Sequence, residues 1–122
     1  MKKLILLFAL FSFSAGFAQD KKNEVKPEVT FVELGSTTCI PCKQMKPVME
    51  NIEKKFSPNV KVVFYDINKE ENKKTVEQYK IKLIPTQVFL DKNGKEFFRH
   101  EGFYPQKQIE KLLAGRGIKP LR

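Results

Sequence analysis

The chain has 122 residues, enough for one domain around one modest core. Its 23 Lys and Arg outnumber 14 Asp and Glu, for a formal net charge of +9. The lysines are scattered among glutamates along 50–55, 69–80 and 107–111, which is the pattern of a solvated face and disfavours a nucleic-acid role. An excess of basic charge still suits acidic partners or anionic membrane surfaces.

The first eighteen residues differ from the rest. Lys2 and Lys3 make a basic start, Leu4 to Phe13 is apolar except for Ser12, and Ser14-Ala15-Gly16-Phe17-Ala18 supplies small residues before a cut. This is the three-part pattern of a secretory signal peptide, expected over 1–18. The apolar run is short for a transmembrane helix, which needs about 20 residues. A core helix or an uncleaved anchor is the alternative. The signal's style suggests export to the periplasm or cell envelope. Its removal takes away two lysines and no acid, lowering the net charge by two.

Residues 19–27 are polar and lysine-rich, end in Pro27, and read as a tether. Val29 to Leu34 reads as a strand rich in β-branched residues. Gly35-Ser36-Thr37-Thr38 is a turn with helix-capping residues, and a helix is expected from about Cys39. Met45, Val48, Met49, Ile52 and Phe56 recur at helical spacing and make its core face. Pro41 suits the first turn, whereas Pro47 falls inside the helix and should kink it.

Val60 to Tyr65 is a second strand, mostly apolar and so expected to be buried on both faces. Asn68 to Tyr79 is a weaker helix anchored by Val76 and Tyr79. Ile84-Pro85-Thr86 leads into the strand Gln87 to Leu90, Asp91-Lys92-Asn93-Gly94 signals a hairpin, and Lys95 to His100 returns. His100, the sole histidine, is expected at the surface. A last helix starts near Pro105, with Ile109, Leu112 and Leu113 on one face and Gly115 and Gly117 at its end. The domain is expected over 28–115, with 116–122 as a tail.

The resulting order is β-α-β-α-β-β-α. A helix joins the first two strands, so they should lie parallel with a right-handed crossover. The last two form an antiparallel hairpin. The fold class is α/β, a mixed four-stranded sheet flanked by helices.

The richest chemistry lies in Thr38-Cys39-Ile40-Pro41-Cys42-Lys43, which holds the chain's only two cysteines. On one helical turn, two thiols can close a small disulfide ring or jointly hold one metal ion, or they can be an inert buried pair. A cysteine at a helix N-terminus feels the positive end of the dipole, which favours the attacking thiolate. So short a loop makes a poor structural brace. It suits a bond that opens and closes, and an exported chain lives where such a bond persists. Glu33 interrupts the first apolar strand. From the pattern alone it is either a solvent-facing glutamate on an alternating strand or a buried carboxyl.

In these residues the chain resembles the thioredoxin family from about Val29 to Leu113. The motifs that carry the resemblance are a strand leading into Cys39-x-Pro41-Cys42-Lys43, Pro47 five residues after Cys42, Ile84-Pro85-Thr86, Asn93-Gly94, and Gly102 before the last helix. The resemblance implies a thioredoxin-like fold with a shortened N-terminus. It makes Cys39 the nucleophile, Cys42 the buried resolving thiol, Pro85 a cis-proline beside the disulfide, and Glu33 the acid that relays the proton of Cys42. Ile40, Pro41, Ile84 and Thr86 would meet the substrate, with the Ile84 backbone pairing with an extended peptide. Thr38 stands where the family commonly has tryptophan, Ile40 where it has glycine, and Phe64 where many members have a lysine near the buried acid.

The implied activity is thiol–disulfide exchange on protein disulfides, without cofactor or metal, by a monomer. A proline between the cysteines and the lack of an intervening histidine favour reduction. Reduction in an oxidising compartment needs a membrane electron donor of the DsbD or CcdA type, as in cytochrome c maturation or disulfide repair. The alternative is a metal-binding, copper-delivery module, since two thiolates suit Cu(I). No third and fourth ligands stand at suitable spacing, and Met45 and Met49 fit the core face better.

Overall fold

A computed structural model describes residues 24–121. The expected signal peptide and the first part of the tether lie outside them. The element order is β1 (Val29–Gly35), α1 (Ile40–Phe56), β2 (Val60–Asp66), a 3₁₀ turn (Glu70–Asn72), α2 (Lys73–Tyr79), β3 (Thr86–Asp91), β4 (Glu96–Glu101) and α3 (Gln106–Gly115). The strands form one sheet in the order β2-β1-β3-β4. β1 runs parallel to β2 and antiparallel to β3, and β3 pairs with β4 as a hairpin. This is the expected mixed sheet. The weak helix expected over 68–79 is split, its first turn being 3₁₀ and only its second half α.

Alternation along β1 sorts its side chains between two layers. Val29 and Phe31 join Met45, Val48, Ile52 and Phe56 of α1 and Ile109 and Leu113 of α3 in the larger core. Val32 and Leu34 face the other way and pack with Val88, Val76 and Tyr79. Glu33 and Gly35 therefore fall on the α1 side. Phe31 stacks on Phe89 of β3 with centroids 4.8 Å apart, tying the sheet centre to that core.

Two expectations change. β2, at the sheet edge, is not buried on both faces: only Val60 and Asp66 at its ends are buried, and Phe64 is 40% exposed. The packed domain continues past Gly115: Ile118 is buried in the larger core, and the Leu121 amide donates to the Lys55 carbonyl at 2.8 Å. Pro47 lies within a helix that runs unbroken from Ile40 to Phe56. Gly94, in the left-handed region at φ 78°, closes the expected hairpin, where Asp91 Oδ1 accepts from the amides of Asn93 and Lys95.

Candidate active site

The end of β1, the start of α1, the turn before β3 and the loop after β4 meet at one end of the sheet. Cys39 is the N-cap of α1, and its Sγ accepts from the Cys42 amide at 3.3 Å. That sulfur thus lies over the unpaired amides and positive dipole end of a 17-residue helix. Cys39 and Cys42 form a disulfide with Cα atoms 5.1 Å apart. The two sulfurs differ in access. Cys39 is half-buried, while Cys42 is 5% exposed and points at β1. There Gly35 makes room: a Cβ at that position would lie 3.1 Å from Cys42 Sγ.

The loop entering α1 is braced by polar side chains. Ser36 Oγ accepts from the Thr38 amide at 3.2 Å and from Asn68 Nδ2 at 2.9 Å. Asp66 in turn accepts from the Asn68 amide and, through its carbonyl, from Asn72 Nδ2. The loop after β2 thereby holds the loop before Cys39. Sequence reading noted the capping residues here but missed Asn68, because its partner Ser36 is 32 positions away, and with it Asp66, which holds Asn68.

Pro85 is buried, its bond to Ile84 is cis, and its carbonyl accepts from the Gly102 amide at 2.7 Å. It lies immediately before Thr86, which pairs with Leu34 at the end of β1. Thr86 departs from expectation. It is fully buried and its hydroxyl donates to the Leu83 carbonyl at 2.7 Å, so its side chain shapes the turn and is not free to meet a peptide. Ile84 is half-buried, and Pro41 is exposed beside Ile40. Ile40 (71% exposed), Leu83 and Phe103 put apolar surface at this end of the sheet. Leu83 and Phe103 were missed because a single apolar residue in a loop carries no periodic signal. A groove of about 570 Å³ beside Cys42 is lined by Lys43, Lys46, Met49, Val62 and Phe64 among others.

Glu33 is buried, at 1% exposure. Its Oε1 accepts from Gln87 Nε2 at 3.1 Å, and its Oε2 has no hydrogen-bond partner among the described residues. Burial pushes its pKa from 4.5 up to about 8, against the smaller opposing effect of the Gln87 hydrogen bond. Two positions along the same face of β1, Gly35 abuts Cys42, so Glu33 shares the face of β1 on which Cys42 packs. His100, expected at the surface, is half-buried. Its ring stacks on Tyr104 at 4.1 Å and its Nδ1 lies 2.9 Å from Gln87 Oε1.

Met45 is fully buried, and its sulfur accepts from the Tyr104 amide at 3.3 Å, so it serves the core. Among the described residues, no group of three or more His, Cys, Asp and Glu side chains is placed to hold a metal ion.

A cysteine pair at a helix N-terminus, the first sulfur more accessible than the second, is the arrangement for thiol–disulfide exchange, and comparisons with known proteins agree. The thioredoxin family model matches residues 14–115. The chain belongs to the thioredoxin family. It is 32% identical over 99 residues to a thioredoxin of Mycoplasmopsis pulmonis, covering 77% of this chain and 90% of that one. It is 29% identical over 95 residues to a thioredoxin of Bacillus subtilis, covering 78% and 88%. Among solved structures, the germline-specific thioredoxin Deadhead of Drosophila melanogaster superposes with a TM-score of 0.62 at 26% identity, covering 72% of this chain and 80% of that one. A mutant thioredoxin from Halobacterium salinarum gives 0.64 at 20% identity, covering 73% and 74%, a likeness of fold. This family member is a thiol–disulfide oxidoreductase whose redox couple is Cys39–Cys42.

Proposed function

We propose that this thioredoxin-family protein reduces protein disulfides in the cell envelope, with Cys39 attacking and Cys42 resolving. The observation that carries the division of labour is the unequal access of the two sulfurs, Cys39 at the helix cap and Cys42 buried against Gly35. The Cys39 thiolate attacks one sulfur of a substrate disulfide, forms a mixed disulfide and expels the other sulfur as thiolate. Cys42 gives its proton to the Glu33 carboxylate and attacks Cys39 Sγ. The second substrate thiolate leaves. Two electrons have passed to the substrate, and the Cys39–Cys42 disulfide closes.

Ile40, Leu83 and Phe103 supply an apolar landing surface for the substrate polypeptide, and the Ile84 backbone supplies strand-like pairing. The basic, apolar and small-residue order of residues 1–18 supports export. The oxidised Cys39–Cys42 pair must then be re-reduced, and a membrane electron donor of the DsbD or CcdA type fits that need. Cys42→Ser tests the whole scheme. Exchange should stall at the mixed disulfide, so covalent complexes with envelope proteins should accumulate and identify substrates and donor. If nothing is trapped and wild type does not turn over a model disulfide, the proposal fails.

A further inference from the structure

Glu33 ends a row of side chains that crosses three strands. Gln87 lies opposite Glu33 in the β1–β3 register, and His100 lies opposite Gln87 in the β3–β4 register. The hydrogen bonds run along the same row, Gln87 Nε2 to Glu33 Oε1 at 3.1 Å and His100 Nδ1 to Gln87 Oε1 at 2.9 Å. Gln87 is fully buried, so both ends of its amide must find partners here. An amide can sit either way round. With its oxygen toward Glu33 it would repel the ionised carboxylate. With its NH₂ toward Glu33, its oxygen needs a donor on the other side, and His100 Nδ1–H is placed to be that donor. The imidazole is itself held, stacked on Tyr104 with an interplanar angle of 11°, and the Tyr104 amide is tied to Met45 of α1.

We propose that Gln87 and His100 are positioning residues that hold Glu33 Oε1, leaving Oε2 as the oxygen that takes and returns the proton. The inference rests on the proposed role of Glu33 toward Cys42 and adds to it. The surroundings leave few rivals for this control. Opposite Glu33, β2 presents Phe64, and α1 brings Met45 and Cys42 over this face. Beside His100, the titratable neighbour is the Tyr104 phenol, and burial holds that group's pKa above its ordinary value. Arg99 and Glu101 alternate to the other face of β4.

The test follows the Glu33 side-chain carboxyl by ¹³C NMR through a pH titration of the oxidised protein, where neither cysteine titrates. In His100→Phe the ring still stacks on Tyr104 but offers no donor, and Gln87→Leu removes the amide. Both should raise the Glu33 midpoint, by about one pH unit for loss of a hydrogen bond to a charged group. His100→Asn, whose side-chain NH₂ can replace Nδ1–H, should return the midpoint towards wild type. A His100→Phe midpoint equal to wild type overturns the role of the imidazole, and an unchanged Gln87→Leu midpoint overturns the whole row. The kinetic role of Glu33 is judged separately. If these midpoints move as expected but Glu33→Gln leaves the pH profile of Cys42 attack unchanged, the positioning stands and the proton-relay reading falls.

Discussion

Glu33 and Gln87 face each other across β1 and β3, and among the described residues the one hydrogen bond that the buried Glu33 carboxyl accepts comes from Gln87 Nε2, at 3.1 Å. One amide does not replace the water that an ionised carboxylate loses on burial. The carboxyl therefore keeps its proton up to about pH 8. That suits a group that must alternate between acid and base near neutrality.

The same burial makes stability depend on pH. The folded chain holds a proton on Glu33 that the unfolded chain releases near pH 4.5. Between pH 4.5 and about 8 the native state binds more protons, so stability falls as pH rises. The loss levels off above the folded value and is on the order of 5 kcal/mol over the whole window. Glu33→Gln should remove this slope. Urea unfolding of the oxidised proteins should show the variant more stable than wild type at pH 8.5, with a much smaller difference at pH 4.5. Parallel pH dependence in both proteins would contradict the assignment.

Gly35 owes its place to close approach. A Cβ there meets Cys42 Sγ at 3.1 Å and Cys42 Cβ at 3.4 Å, and the sulfur is tethered in the disulfide and cannot swing clear. Gly35→Ala should overpack the joint between β1 and α1 and destabilise the oxidised protein by about 1–3 kcal/mol. The dithiol form, with Cys42 free to turn, should lose less. Denaturant midpoints of oxidised and reduced variant against wild type check this, and an equal loss in both forms would place the strain elsewhere.

Lys80 ends α2 in the left-handed region, at φ 50° and ψ 48°. A side chain there costs roughly 1–2 kcal/mol that glycine does not incur, offset in part by the greater freedom of glycine when unfolded. Lys80→Gly should therefore leave stability equal or raise it by up to about 1 kcal/mol. A clear fall in the thermal midpoint would mean that the Lys80 side chain makes a contribution its backbone does not reveal.

The sequence foretold most where local signals and long-range packing agree. The helix starting beside Cys39, the Asp91–Gly94 hairpin and the core faces of α1 and α3 each rest on spacing or turn chemistry, and all are present. It misled where burial depends on sheet order. Val60 to Tyr65 is apolar enough for a central strand, yet β2 lies at the edge because β1 takes the centre. The reverse holds for His100, a residue type commonly exposed, which strand register sets on Gln87 and Tyr104. Both cysteines, Pro85 and Glu33 were legible as candidates from motif positions. Gln87 was not, because a glutamine at a strand start carries no signal until its cross-strand partners are known.

Phe64 gives a direct way to test the electrostatics of the site. It pairs with Glu33 in the parallel β1–β2 register, and its ring reaches the space beside Gly35 and Cys42. It is 40% exposed, so a longer polar side chain can be accommodated with its head near solvent. In Phe64→Lys a cation would come within reach of a carboxyl that has no charged partner among the described residues. An opposite charge at about 4–6 Å favours the ionised form and lowers a carboxyl pKa by roughly 1–3 units. The Glu33 midpoint should move down from about 8, opposite in sign to the effect of His100→Phe. The base would then be ionised over a wider pH range but weaker. The pH profile of Cys42 attack should extend to lower pH with a lower plateau. Stopped-flow oxidation of the dithiol across pH 5–9, set beside the carboxyl titration, measures both. A lowered Glu33 midpoint with an unmoved kinetic profile would show that Cys42 loses its proton to another group.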